Sequence, residues 1–300
     1  MGQQAFGKSA LETILRATKD EVVAVYCAPD KDGRVDPIKE FAIEKGLTVM
    51  QPDNFKNKDV LDKMRTFKAD LCVMAYVVLF VPAEARDIPT YGSICFHPSL
   101  LPLHRGPSSI NWPIIWGAQK TGLSYFWPDD GLDEGEILLQ KEVEIGPDDT
   151  IGSVYFDKVF PLGLEATLEA IDLVRAGNPP KQVQDHSMAT YEGWCSKSVA
   201  KIDWNRSVDE IYNLIRGCNP QPGAWTTYKG EVLQIFDCEK KDQSRGRTGR
   251  VSAITKEGVM ITAGRGSIFA KRVRFAGGKK MTAVEFSAEV GLKQGAKLAS

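Results

Sequence analysis

No apolar run in the 300 residues approaches the roughly 18 needed to span a bilayer, and the chain opens without a basic-then-apolar leader pattern. A cytoplasmic protein is expected. Cysteine is sparse and scattered: Cys27, Cys72, Cys95, Cys195, Cys218 and Cys238, with no CxxC pair among them. That spacing speaks against a disulfide framework and offers no zinc-ligand pattern, so no metal is expected. The six read as small buried hydrophobes. Histidine is scarcer still, three in the chain, which leaves few candidates for an imidazole acid–base group. Disorder is disfavoured by an apolar fraction of 43%. The length suits one large domain or two moderate ones.

Net charge is −1, but unevenly spread. From Thr226 onward fifteen Lys or Arg stand against seven Asp or Glu, leaving the first part of the chain acidic. A basic C-terminal piece could meet RNA phosphates, so a tRNA contact is one expectation. A solvated β-domain surface accounts for the same charges.

The first half alternates short apolar runs with amphipathic stretches, the pattern of an α/β domain with a doubly wound, mostly parallel sheet. Strands are expected at 21–27, 70–78, 92–96, 122–127 and 137–145. Helices are expected from about Ser9, over 37–45 behind Asp36-Pro37, over 60–67, and from Thr150 to about Val174. Ala176-Gly-Asn-Pro-Pro180 ends the last of these, and the polar residues to about Lys201 read as a linker. A helix over 208–216 then precedes short β runs at 232–236, 249–254, 258–262 and 268–275, which suit a small C-terminal β-barrel. The expected division is 1–200 and 201–300.

Gly2-Gln-Gln-Ala-Phe-Gly-Lys8-Ser9 fits the phosphate-loop pattern GxxxxGK[ST]. That mechanism needs a strand delivering the loop, and no residues precede it to form one. Asp30, the obvious acidic partner, sits in a Pro-Asp-Lys-Asp-Gly turn. A glycine-rich strand-to-helix turn is the preferred reading. Either the recorded start falls several residues late or the sheet lacks its first strand.

The informative stretch is Gly92-Ser-Ile-Cys-Phe-His97-Pro-Ser-Leu-Leu-Pro102-Leu-His-Arg-Gly106. A histidine closing a buried strand sits where α/β sheets expose groups to a ligand crevice, and Pro98 and Pro102 stiffen its mount. Some thirty residues on, Pro128-Asp-Asp-Gly-Leu-Asp133-Glu-Gly135 lies between two expected strands. It could be a solvated turn, or the carboxylate half of a His–carboxylate pair.

Taken together, His97-Pro-Ser-Leu-Leu-Pro102, Arg105-Gly106, Ile110-Asn-Trp112 and Asp130-Gly-Leu-Asp133 resemble the 10-formyltetrahydrofolate-dependent formyltransferases and hydrolases. Asn219-Pro-Gln-Pro-Gly-Ala-Trp225, Lys279-Lys-Met281 and Leu292-Lys-Gln-Gly-Ala296 resemble the C-terminal barrel of methionyl-tRNA formyltransferase and its relatives. Within the family the chain most resembles the amino-terminal hydrolase domain of 10-formyltetrahydrofolate dehydrogenase. The short Pro29-Asp-Lys-Asp-Gly33 loop, Phe126-Trp127 and Ala189-Thr-Tyr-Glu-Gly193 share that likeness. Transferases of the family place asparagine two residues before the histidine; here Cys95 stands there, as in the dehydrogenase's hydrolase domain.

The resemblance implies a formyltransferase-like Rossmann domain with His97 and Asp133 catalytic. Leu79, Phe80 and Val81 would line the folate pocket, with 10-formyltetrahydrofolate as formyl donor. It implies hydrolysis to tetrahydrofolate and formate, or transfer to an amine such as methionyl-tRNA or an amino sugar nucleotide. It also raises a longer chain carrying an aldehyde dehydrogenase domain.

Overall fold

The computed structural model describes residues 1–244 and 246–299. Arg245, one of the fifteen basic residues counted above, and Ser300 lie outside the described residues. Helix α1 (Gln4–Ala17) leads to β1 (Val25–Tyr26), α2 (Pro37–Glu44), β2 (Val49–Met50), α3 (Lys58–Thr66), β3 (Cys72–Met74), α4 (Ala83–Arg86) and β4 (Ser93–His97). Then come α5 (Asn111–Ile115), β5 (Lys120–Phe126), β6 (Ile137–Glu144), α6 (Ile151–Ser153), a π-helical stretch (Val154–Val159) and α7 (Phe160–Arg175). The remainder holds α8 (Val208–Gly217), β7 (Ala224–Tyr228), β8 (Glu231–Lys241), β9 (Val251–Ile254), β10 (Val259–Thr262), β11 (Ser267–Phe275), β12 (Lys280–Thr282) and α9 (Ala283–Glu289).

The chain divides into two compact units. One comprises 1–106, 122–143 and 156–191; the other comprises 107–121, 144–155 and 192–300. In the first, β1 pairs with β2 and β3 with β4, both in parallel, while β5 runs antiparallel to β4 in the order β3-β4-β5-β6. The first unit is thus α/β, with parallel pairing between its first four strands.

Several expected elements shrink or break for identifiable reasons. The run at 70–78 keeps only Cys72–Met74 in the ladder, because Tyr76 takes a left-handed backbone (φ 63°) and the chain leaves the sheet. The helix beginning at Thr150 does start there, with a capping box to Ser153. A π stretch then interrupts it ahead of Pro161, whose missing N–H removes one rung of the helical ladder. Helix α2 is capped by Asp36, which accepts from the Ile38 N–H at 3.0 Å. The face of α7 that meets the sheet is set by small residues. A Cβ on Gly163 would lie 2.9 Å from the Phe6 ring and 3.0 Å from the Phe96 ring, and those two rings stack at 4.1 Å.

The phosphate-loop pattern has no loop. Gln4 to Ser9 lie in α1, and Gly2 and Gly7 let that helix start press on β3's continuation, where a Cβ would sit 2.6 and 3.1 Å from the Ala75 carbonyl. Asp30 is engaged by Lys39 at 2.5 Å and Gln51 at 2.9 Å, and the lysine beside it holds its carboxyl below the usual range.

Met1 and Gly2 bridge the two parallel pairs. The Gly2 N–H donates to Tyr26 O (2.9 Å), the Met1 ammonium to Val73 O (2.8 Å), and the Ala75 N–H to Met1 O (2.9 Å). Beside them opens a cavity of about 650 Å³ lined by Ile14, Val23, Val25, Leu71, Val73 and Val174 among others. Four aliphatic side chains buried there would contribute about 1.5–3 kcal/mol each, against about 1–2 kcal/mol of backbone entropy per ordered residue. Joining four or five Val or Ile residues ahead of Met1 is therefore expected to raise the Tm by several degrees. An equal length of Gly and Ser should not. Equal melting of the two extended proteins would show that a strand does not fit this cavity.

The second unit is sheet-rich. Its order is β7-β8-β11-β10-β9, with β12 on β11. Ser207 and Glu210 form a capping box that starts α8, and the α8 residues Ile211 and Ile215 are buried in a core with Trp204, Ile235, Ile261, Ile268 and Phe286. The strand path is open between β7 and β9, so a closed barrel is not established. Residues 295–299 hydrogen-bond to both edges, through Thr227 on β7 and Val251 on β9, which satisfies backbone groups that would otherwise be exposed.

Candidate active site

His97 is the last residue of β4, opposite Ser124 of β5, and its side chain is 8% exposed. The loop that follows is fastened from below. Ser99 Oγ donates to Leu103 O (2.6 Å), Ser124 Oγ to Ser99 O (2.7 Å), the Leu101 N–H to Ser124 Oγ (3.1 Å), and Gln140 Nε2 to Leu101 O (2.8 Å). The stiff mount expected from Pro98 and Pro102 is thus reinforced by buried hydroxyls.

His97 Nε2 lies 2.9 Å from the His104 carbonyl. A carbonyl only accepts, so Nε2 carries the hydrogen and Nδ1 faces Asp133 Oδ2 at 3.5 Å. That separation is long for a hydrogen bond, and it becomes a charge-assisted one only with a proton on Nδ1. Asp133 Oδ2 also accepts from the Gly106 N–H at 2.8 Å, so its carboxylate spans the two halves of the 97–106 loop.

The acidic loop sorts its four carboxylates. Asp129 turns back on the Gly131 N–H (2.9 Å), Asp130 meets Arg86 Nη2 (2.7 Å), and Glu134 accepts from the Tyr191 hydroxyl (2.7 Å). Asp133 alone of the four faces His97. It does so from a left-handed backbone, φ 56°. Gly135 closes the loop, since a Cβ there would lie 1.7 Å from the Trp127 carbonyl.

Cys95, two residues before His97, is half-buried. Burial pushes its thiol far up, and the nearby Asp133 carboxylate pushes the same way. It is a neutral thiol beside the His97–Asp133 pair. Of the expected folate-lining residues, Leu79 and Val81 pack against the cluster of Tyr26, Phe55, Met64 and Ala85. Phe80 is exposed, with the Lys56 ammonium 5.8 Å from its ring centre.

The segment read as a linker holds the residues that sequence reasoning missed. Gln182 pairs with Ile137 at the start of β6 (2.8 and 3.0 Å). Gln184, 3% exposed, donates from Nε2 to Asp133 O (2.9 Å) and Gly135 O (2.7 Å). Its Oε1 accepts from Arg105 Nη2 (2.8 Å) and Nε (3.2 Å). Arg105, with a fully buried side chain, also donates to the Tyr191 hydroxyl. A polar stretch after Pro179-Pro180 carries no signal of such burial. No group of three His, Cys, Asp or Glu able to hold a metal occurs among the described residues. Nor is any described helix long and apolar enough to cross a membrane.

The formyl transferase family pattern matches residues 2–171, and the formyl transferase C-terminal domain matches 195–290. Cytosolic 10-formyltetrahydrofolate dehydrogenase of Homo sapiens is 37% identical over 301 residues, covering 95% of this chain; the chain spans about a third (33%) of that protein's length. Methionyl-tRNA formyltransferase of Acetivibrio thermocellus is 35% identical over 294 residues, covering 95% of this chain and 94% of its own. The crystal structure of an N-formyltransferase from Helicobacter canadensis, in complex with folinic acid and dTDP-3-aminofucose, superposes with a TM-score of 0.67 at 19% identity. It covers 90% of this chain and 96% of that one, and shares the fold. With family matches over both parts and a relative aligned along nearly its whole length, the chain belongs to the formyl transferase family.

Proposed function

We propose that the chain hydrolyses 10-formyltetrahydrofolate to tetrahydrofolate and formate, with residues 1–200 as catalytic domain and 201–300 as the C-terminal domain. Leu79, Phe80 and Val81 would line the folate pocket. Asp133, anchored by Gly106, orients the attacking water and takes up its proton. The water oxygen adds to the formyl carbon, and His97 stabilises the resulting oxyanion. The bond from that carbon to N10 then breaks as the proton taken up by Asp133 passes by way of His97 to N10, and the formic acid released ionises to formate. The observation that carries hydrolysis over transfer is Cys95. A neutral thiol stands beside the pair where the transferases' asparagine would donate to the oxyanion, and a thiol is a weak donor.

Transfer to methionyl-tRNA is the second reading. It is favoured by the likeness to the A. thermocellus enzyme and by the proximity of Arg272, Arg274 and Lys280 on β11 and β12. The two readings separate in one assay. The protein is incubated with 10-formyltetrahydrofolate, with and without methionyl-tRNA, and formate is followed against formyl-methionine. Formate release independent of tRNA supports hydrolysis; formyl-methionine as the main product sinks it.

Cys95→Asn is expected to speed loss of the formyl group about tenfold, if ~1.4 kcal/mol of transition-state stabilisation returns with the new donor. The larger side chain costs ~1–3 kcal/mol if it overpacks β4, so melting is checked first. A well-folded variant with unchanged single-turnover rate would show that Cys95 does not border the oxyanion.

A further inference from the structure

We propose that Gln184 is a positioning residue for Asp133, holding the catalytic carboxylate through its main chain from a third segment of the sequence. The proposal rests on the reading of His97 and Asp133 as the catalytic pair. Every hydrogen-bonding group of the Gln184 amide is used. Its two N–H groups go to Asp133 O and Gly135 O, and its oxygen receives two N–H groups of Arg105. That pattern fixes the amide's orientation, because a flipped amide would turn its NH₂ against the guanidinium. Asp133 needs such a hold. Its left-handed backbone is disfavoured for a residue with a Cβ, and the hydrogen bonds from Gln184 to the Asp133 and Gly135 carbonyls offset that. Tyr191 adds a second tie from the same segment, its hydroxyl donating to Glu134 at 2.7 Å. Residues 182–191 thus act as a strap, fixing the acidic loop at Asp133, Glu134 and Gly135 through Gln184 and Tyr191.

Gln184→Glu separates positioning from anchoring. The new carboxylate still accepts from Arg105, with added charge, but has no hydrogen to give Asp133 O or Gly135 O. With 10-formyltetrahydrofolate as substrate, kcat should fall about ten- to hundredfold, the loss expected from a displacement near 1 Å. KM should stay within about twofold and the Tm within a few degrees. The rate ratio of variant to parent should rise as pH falls, because the introduced carboxylate regains one O–H donor once it is protonated. A purely structural Gln184 would lower the Tm or the folded fraction and leave kcat per folded molecule and the pH ratio unchanged; that result overturns the proposal. If Gln184→Glu does not fold, Tyr191→Phe is the second test. It keeps the ring, removes the tie to Glu134, and is expected to lower kcat severalfold with KM unchanged; an unaltered kcat counts against the strap. Asp133→Asn run in parallel separates the two levels. An active Asp133→Asn enzyme would remove the catalytic pair itself. An inactive one beside a fully active Gln184→Glu would remove only the positioning role.

Discussion

On the proposed mechanism, His97→Ala and Asp133→Ala are each expected to lower single-turnover loss of the formyl group by about a thousandfold, while binding of 10-formyltetrahydrofolate changes only a few-fold. A positioned acid–base group contributes about 10²–10⁴ in rate, and the two side chains face one another, so their losses should overlap rather than multiply. The double variant is expected to be scarcely slower than either single one. Folding should survive in both cases. His97 sits at the strand end with its backbone already in the ladder to β5, and the Asp133 carbonyl remains held by Gln184. Asp133→Ala does release the Gly106 N–H, which costs about 1–3 kcal/mol if that group stays buried and unpaired. Substrate binding by fluorescence and turnover by product quench are read on the same preparations. Either variant turning over near the parent rate would remove that residue from the mechanism.

The sequence exposed much of this site and left one layer dark. His97 was marked by its place at the end of an apolar run before Pro98, a local signal that the β4 ladder bears out. Asp133 was harder. Four acidic residues share its loop, and spacing alone does not choose among them. The choice is made by partners distant in sequence: Arg86 takes Asp130, Tyr191 takes Glu134, and His97 is left with Asp133. Gln184 carried no local mark, because its meaning lies in a buried cation 79 positions away. Helix α9 was legible and passed over: Thr282 and Glu285 form a capping box of the kind that Thr-x-x-Glu announces. The short strands of the first unit are the converse. Apolar runs at 21–27 and 70–78 set burial, but ladder length depends on neighbours, and the continuous strands shorten to Val25–Tyr26 and Cys72–Met74.

The largest stability effect is expected at Arg105. Its guanidinium has no exposed side-chain area and is held by Gln184 and Tyr191, with the Tyr191 ring centre 5.2 Å away and Glu134 Oε1 at 3.9 Å. Arg105→Leu keeps the backbone bridge to Thr190 but strands the Gln184 oxygen and loosens the Tyr191 hydroxyl. Removing one partner from a buried charged network costs about 3–5 kcal/mol, which for a unit of this size lowers the Tm by about 10 °C. Arg105→Lys should recover little of this, since one ammonium cannot reach both Gln184 and Tyr191 in the fork geometry that guanidinium supplies. The network makes a sharper claim than the size of the loss. In a cycle with Tyr191→Phe, the combined cost of the two substitutions should fall short of their sum by about 0.5–3 kcal/mol, because each removes the same hydrogen bond. Denaturant unfolding of the four proteins measures it directly. Strict additivity would mean that Arg105 and Tyr191 act separately, and an Arg105→Leu protein as stable as the parent would mean that the buried guanidinium is not what holds residues 182–191 in place.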